Sequence, residues 1–294
     1  MRHIYYFNVN YSCNSRCLFC YSHNTRHDSS RHGEISPERL ADFLAANGYC
    51  SGDRVIVNGG EPLLHSRITE ILHELGELRA DVLVYTNGRL LHTLDLAGLN
   101  ERFRFIVPFH GGRRVHDSIT GIPGSWEETA NNMELFRETA CLLDMKIILN
   151  ARMIADFAGA LAELQRVYFS NALHITSMAE TPESRRHNFP PMSLTDSAKF
   201  TAETFRAFTG RAHTIKLYDT CTAGLREEVS TPPQEIHDMP EVFYCDVHGD
   251  RRVFLQRPHK DCAAKCNAVE LCISEVSQMK VLEYSGGKFY ENVP

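Results

Sequence analysis

The 294-residue chain has one tryptophan, Trp126, no internal repeat, no low-complexity tract and no lysine-rich tail. No apolar stretch approaches the ~20 residues that a membrane helix needs, so no membrane association is expected. Met1–Arg2–His3–Ile4 opens no secretory signal, and a cytoplasmic location is expected. Positive charge is also short: 31 Lys and Arg against 37 Asp and Glu give a net charge of -6 and a pI of about 6.2. A nucleic-acid backbone is therefore not the expected partner. With 43% hydrophobic and 23% charged residues, the chain can bury a core. Its length suits one large domain or one with a small appendage.

What it has in plenty is cysteine, ten in all. A reducing cytosol argues against pairing them into disulfides. Eight fall into two groups, Cys13/Cys17/Cys20 and Cys221/Cys245/Cys262/Cys266/Cys272, while Cys50 and Cys141 stand alone as small apolar side chains. Clustered thiols in such a chain point to metal.

Apolar runs of strand type alternate with amphipathic helical patterns. The runs are Ile4–Val9, Arg54–Asn58, Asp81–Thr86, Phe103–Phe109, Met145–Asn150 and Leu173–Met178. The helical patterns cover 36–47, 66–79, 94–101, 125–139, 156–168 and 194–208. Ser36–Pro37 supplies an N-cap and a proline at the first helical position. This order predicts an α/β fold with a parallel sheet and right-handed crossovers. Six units are too few to close an eight-stranded barrel, so an open, partial (β/α)6 barrel is expected, with ligands at the C-terminal strand ends. The pattern breaks near residue 212. Residues 1–211 are read as the barrel and 212–294 as a small C-terminal domain too poor in core to stand without metal.

Cys13-Asn-Ser-Arg-Cys17-Leu-Phe-Cys20 follows directly on the first strand. Three thiolates can hold three corners of an iron–sulfur cubane and leave one iron open. A Cys3His zinc site completed by His23 or His27 stays open on spacing alone. This C-x3-C-x2-C pattern, with Phe19 before the last cysteine, resembles the signature of the radical S-adenosylmethionine (SAM) superfamily. Asn58-Gly59-Gly60-Glu61-Pro62, at the end of the second strand, is similar to that family's GGEP motif. The resemblance implies a [4Fe-4S] cluster on Cys13, Cys17 and Cys20, with SAM on its unique iron. Gly59, Gly60, Glu61 and Pro62 would then bind the methionyl end, the glycines letting the backbone approach the ligand and Glu61 pairing with the ammonium. Phe19 would lie near the adenine. His110, Asn150, Arg152 and Ser177–Met178 stand where the family places ribose and carboxylate contacts, although His110 departs from its usual Ser or Asp. Ser125 is read as the cap of the following helix, with Glu127 and Glu128 in its first turn.

Cys262-Ala-Ala-Lys-Cys266-Asn-Ala-Val-Glu-Leu-Cys272 and Cys221-Thr-Ala-Gly224 resemble the SPASM/twitch extensions of this superfamily. Five thiols suffice for one auxiliary cluster with one to spare, which fits the shorter twitch form. The resemblance thus implies a second [4Fe-4S] cluster on Cys221, Cys262, Cys266 and Cys272. Structural zinc, with His248 or His259, is the alternative. Cys245, in the strand-like Val-Phe-Tyr-Cys-Asp-Val run, is the spare thiol. It is either packed or, if it faces the barrel mouth, a hydrogen-atom donor to a substrate radical. The chain then looks like a radical SAM epimerase that inverts a C–H stereocentre of an aminoglycoside antibiotic. Asp117, Asp219, Glu227, Glu228, Asp238 and Asp246 would attract such a cationic small molecule, and a flavodoxin-type reductase would supply electrons. The rivals are a maturase of ribosomally made peptides, an amino-sugar dehydrogenase, and a scaffold with structural metal. The short run before Cys13 makes an N-terminal peptide-recognition extension unexpected. Solvent deuterium in the product separates a thiol-quenched epimerisation from an oxidation.

Overall fold

The computed structural model describes residues 3–20, 33–96, 98–178 and 180–217, and the C-terminal strands 242–246, 249–253, 281–285 and 288–292. Its framework is a parallel sheet of β1 (Ile4–Asn8), β2 (Arg54–Asn58), β3 (Asp81–Tyr85), β4 (Phe103–Phe109), β5 (Leu142–Leu149), β6 (Ala172–Ser177) and β7 (Thr214–Leu217). These lie side by side in chain order, each parallel to the next. The strand β8 (Val242–Asp246) adds to β1 in parallel, with Cys245 opposite Phe7. The hairpin partner β9 (Gly249–Val253) closes that edge; β10 (Val281–Ser285) and β11 (Lys288–Asn292) extend the other beyond β7. The sheet therefore runs past residue 212, where the sequence reading begins an appended domain. Cys221, Cys262, Cys266 and Cys272 lie outside the described residues.

Strand side chains alternate between two faces, and the two differ sharply. One face carries Tyr5, Phe7, Val55, Val57, Val82, Val84, Phe103, Phe105, Val107, Leu143, Met145, Ile147, Leu173 and Ile215, all fully or almost fully buried. It packs on the helices: Phe7 meets Phe43 at 5.5 Å between ring centroids, and Phe105 meets Phe136 at 5.1 Å. Among the helices that cover it is Pro37–Ala46, capped by Ser36, whose hydroxyl accepts from the Arg39 N–H at 3.2 Å. Ile68–Glu77, Phe157–Val167 and Leu194–Phe208 follow the expected boundaries closely. Among the described residues no helix is long and apolar enough to cross a membrane.

Two stretches differ from expectation. No helix forms over 94–101; a short 3-10 turn, Leu91–Thr93, precedes it instead. Leucines at 94, 96 and 99 do not keep a helical stripe, and Gly98 takes a left-handed φ of +87°. A helix does form at Arg113–Thr120 and ends at Gly121 with φ +68°. The next helix, Ser125–Met133, has Gly124 at its N-cap position rather than Ser125. Asp117 does the capping, accepting from Gly124 N–H at 2.7 Å, Trp126 N–H at 2.9 Å and Ser125 Oγ at 2.9 Å.

Candidate cluster and cofactor site at the strand ends

The loop after β1 is stitched to the C-terminal ends of its neighbours. Gly60 N–H donates to the Asn10 carbonyl at 3.0 Å and Glu61 N–H to the Ser12 carbonyl at 2.7 Å. Arg16 and Leu18 N–H groups reach the carbonyls of Thr120 and Ile119 at 2.7 and 3.0 Å. Asn87 Nδ2 donates to Asn14 Oδ1 at 2.6 Å, and the Arg89 guanidinium to the Asn14 carbonyl at 2.8 Å. Cys13, Cys17 and Cys20 ride on this fixed loop as half-buried thiols outside any disulfide. Ser15 N–H points at Cys13 Sγ across 3.4 Å. Among the described residues no three His, Cys, Asp or Glu side chains converge as they would on a single ion. His23 and His27 lie outside the described residues. Three thiols spaced on one anchored loop fit the corners of a cluster.

The two glycines serve this anchoring. A Cβ on Gly60 would stand 2.3 Å from the Ser12 carbonyl oxygen and 2.5 Å from that of Tyr11; one on Gly59 would stand 2.7 Å from the Asn10 oxygen. The close approach they allow is therefore that of the cysteine loop itself, where the sequence reading expected only the ligand. Glu61 is likewise drawn into the frame. Its carboxylate is wholly buried and accepts from Leu63 N–H at 3.1 Å, Thr86 Oγ1 at 2.7 Å and Asn87 N–H at 2.8 Å. Burial raises its pKa against these three donors. The carboxylate thus joins the ends of β2 and β3, and Pro62 opens a buried 3-10 turn behind it.

The remaining residues implied for the cofactor divide. Phe19 stands edge-on to His110 at 5.1 Å and to Phe189 at 5.5 Å, in a small apolar cluster with Ile119 and Met178. His110 is buried and stacked on His116 at 5.1 Å; its Nδ1 has no hydrogen-bond partner. Burial, then the neighbouring His116 and Lys146, hold it neutral, well below the ordinary histidine pKa. Asn8 and Asn10, on and just beyond the end of β1, also bury unpartnered Oδ1 atoms. These three orphaned atoms at the strand ends fit a bound polar molecule. Asn150 does not share that freedom: its Nδ2 donates to the carbonyls of His110 and Ile148, and its Oδ1 accepts from Arg152 and Met153 N–H. Arg152 lies over the Phe189 ring at 5.1 Å and donates to Ser118 Oγ at 3.3 Å.

Cys245 is not brought to this site. It is fully buried in the helix-side core, and its strand neighbour Phe243 stacks on Tyr5 at 5.1 Å. The pleat that puts Tyr5, Phe7, Phe243 and Cys245 on that side turns the thiol away from the other face. Asp117, expected to attract a cationic substrate, is occupied as the helix cap described above.

The other face of the sheet, here the inner face, escaped the sequence reading. It carries Tyr6, Arg54, Asn58, Asp81, Tyr85, Arg104, Asp144, Lys146, His174 and Lys216, many of them half-buried. Asn58 Nδ2 donates to Tyr6 Oη, and Arg54 pairs with Asp81 at 2.8 Å. Asp144, fully buried, accepts from Arg104 at 2.5 Å, His174 Nε2 at 2.7 Å and Ala172 N–H at 3.1 Å. Burial opposes its ionisation, but His174, Arg104 and Lys216 outweigh it and keep Asp144 below the usual carboxylate pKa. Burial also keeps His174 neutral despite Asp144.

Residues 7–143 match the family model of the radical SAM superfamily. Over 175 residues the chain is 25% identical to an AdoMet-dependent heme synthase of Methanosarcina barkeri, covering 58% of this chain and 48% of that one. Over 114 residues it is 37% identical to a probable GTP 3',8-cyclase of Methanocella arvoryzae, covering 34% and 36%. The chain thus spans about half or less of these curated relatives. In fold it resembles the crystal structure of Streptococcus suis SuiB bound to precursor peptide SuiA, with a TM-score of 0.57 and 13% identity over 72% of this chain and 47% of that one. The superfamily implies one [4Fe-4S] cluster and SAM.

Proposed function

We propose that this chain is a radical SAM enzyme that takes a hydrogen atom from a C–H bond of a substrate seated against the inner face of its sheet. The observation that carries this reading is the anchored loop of three thiols outside any disulfide at the strand ends, directly beyond a polar face with orphaned buried polar atoms. A cluster on Cys13, Cys17 and Cys20 with SAM would supply a one-electron route to carbon radical chemistry. Gly59 and Gly60 hold the loop against β2, Glu61 locks β2 to β3, and Asn8, Asn10 and His110 offer hydrogen bonds to what binds there. Phe19 lays an apolar wall beside His110 and excludes water. A flavodoxin-type reductase is the expected electron source. An auxiliary [4Fe-4S] cluster on Cys221, Cys262, Cys266 and Cys272 belongs to the same proposal.

Epimerisation of an aminoglycoside, of the neomycin C to neomycin B type, with Cys245 as donor, is not the narrower reading we favour. The thiol lies on the helix side, and the described inner face carries more cations than carboxylates. A peptide substrate is the second reading, favoured by the fold match to an enzyme solved with its precursor peptide. The test is anaerobic reconstitution with iron and sulfide, reduction by dithionite, and quantification of 5'-deoxyadenosine from SAM. Wild type is expected to release it, and Cys17→Ala to release none. Equal yields from both, or none from cluster-loaded wild type, contradict the proposal.

A further inference from the structure

Three arginines stand round the cysteine loop without a carboxylate of their own. Arg16 lies on the loop between Cys13 and Cys17, Arg114 on the helix Arg113–Thr120, and Arg152 on the short helix Ala151–Ile154 that follows β5. All three are exposed. Among the described residues no ion pair engages any of them, in a chain whose net charge is -6.

The fold draws them into one strip. Positions 114, 118 and 121 share a stripe of the helix, as residues four and seven apart do. At its far end a Cβ on Gly121 would stand 3.3 Å from Arg16 Cβ, and the Arg16 N–H donates to the Thr120 carbonyl at 2.7 Å. In its middle Ser118 Oγ accepts from Arg152 at 3.3 Å. Arg152 in turn covers Phe189, whose ring stands 5.5 Å from that of Phe19, the neighbour of Cys20. At 1.5 Å per residue the strip from Arg114 to Gly121 is ~10 Å long, and it ends at the loop that bears the thiols.

The carboxylates of this region are engaged elsewhere. Asp117 caps the next helix, Glu127 pairs with Arg113 and Glu128 with Arg89, and Glu163 accepts from the Arg113 N–H. Glu180 pairs with Arg185 and Glu183 with Arg186. The strip keeps three guanidinium groups without counter-charges, the side chain best suited to meet carboxylates at an interface.

We infer that Arg16, Arg114 and Arg152 form the docking surface for an acidic one-electron carrier protein, which delivers its electron to the cysteine loop from this side. This rests on the proposed radical SAM reading and locates the partner that reading needs. The carrier's anionic flavin hydroquinone would pass one electron to a cluster held by the three thiols and become the neutral semiquinone. Arginines that face the carrier's carboxylates raise the rate of productive encounter, an effect that salt screens.

The test uses the anaerobically reconstituted protein, with purified flavodoxin as the acidic probe and the methyl viologen radical, a small cation, as the control reductant. Isothermal titration reads flavodoxin binding, and stopped-flow bleaching of the cluster absorbance reads electron transfer. Wild type is expected to bind flavodoxin roughly tenfold more weakly at ~0.5 M than at ~0.05 M salt. Arg114→Glu is expected to lower both the affinity and the flavodoxin-driven reduction rate roughly tenfold, and not to slow reduction by methyl viologen. Arg114→Lys is expected to recover most of that loss, and Arg16→Gln to show a smaller one. Thermal melts establish that each variant folds. Absent flavodoxin binding, binding indifferent to salt and to Arg114→Glu, or equal slowing with both reductants overturns the inference. Wild type that releases 5'-deoxyadenosine with methyl viologen yet binds no flavodoxin fails the docking surface alone. A chain that releases none with either reductant fails the underlying reading and the inference with it.

Discussion

The two faces of one sheet divide the work of this protein. On the helix side, odd-numbered positions of β1 and β4, and their ladder partners, are Tyr, Phe, Val, Leu, Ile and Met with almost no exposure. On the inner side the alternate positions carry Arg54, Asp81, Arg104, Asp144, Lys146, His174 and Lys216. The first face supplies the burial that holds the strands together. The second is mixed: Ile4, Leu83 and Ile106 are buried there too, while its charged positions cost desolvation, which pairing Asp144 with Arg104 and Arg54 with Asp81 offsets. Polar groups at that expense in the middle of a sheet are the reason the proposed substrate site is set on this face.

The contrast can be broken most strongly where the faces meet the cysteine loop. Gly60→Ala puts a methyl against two backbone carbonyls, so the loop must lift from β2. Iron incorporation is expected to fall to background, and the fold to lose several kcal/mol on the scale of an overpacked backbone contact, ~1–3 kcal/mol or more. Iron counting and a thermal melt read both. On the helix side, Phe105→Ala removes a fully buried ring and is expected to cost ~3–5 kcal/mol in denaturant unfolding. Ile56→Ala, half-buried on the inner face, is expected to cost ~1 kcal/mol.

The buried histidines make the comparison pH-dependent. Burial, and secondarily Arg89, lowers the pKa of His116 to about 3. Its folded pKa lies below its unfolded one, so the unfolded chain takes up the proton first. The stability it protects is present above roughly pH 6.5 and declines as pH falls toward 3, by ~1.4 kcal/mol per pH unit for a single proton. His116→Gln is expected to flatten the stability curve between pH 6 and 4 by about that slope. Glu61, raised by burial, acts with the opposite sign, so the difference between variant and wild type is the quantity to read.

The smallest effect on the chemistry is expected at Cys245. Cys245→Ala empties a small volume in the helix-side core and is expected to cost ~1–2 kcal/mol. Release of 5'-deoxyadenosine and any solvent deuterium in the product are expected to stay unchanged. Loss of that deuterium would return the thiol to the chemistry and contradict the placement of its face.

Much of this was legible from the residues. Apolar runs such as Arg54–Asn58 and Phe103–Phe109 mark their strands because burial on the helix side demands them. The spacing of Cys13, Cys17 and Cys20 and the Gly59–Gly60 pair pointed to the candidate site at the strand ends. What stayed hidden was direction. Leu-Leu-Asp-Met-Lys-Ile-Ile-Leu in β5 and Ala-Leu-His-Ile-Thr-Ser in β6 read as apolar runs. Their polar residues fall at every second position, the period that puts Asp144 with Lys146, and His174 with Thr176, on one face. The sequence left Cys245 open between a packed thiol and a donor for the same reason: the face of β8 is set by its parallel register with β1, a long-range pairing with no local mark in the sequence. Helix capping by Asp117 across a turn escaped notice because Ser125 offered the nearer, more familiar cap.

The measurement that tests the account most directly is iron content with electron paramagnetic resonance of the reduced protein, with and without SAM. Wild type is set against a Cys13/Cys17/Cys20→Ala triple variant. The account predicts that the variant loses ~4 iron per chain, and that SAM changes the reduced-cluster spectrum of wild type only. An unchanged iron content in the triple variant, or a spectrum that SAM leaves untouched in wild type, contradicts it.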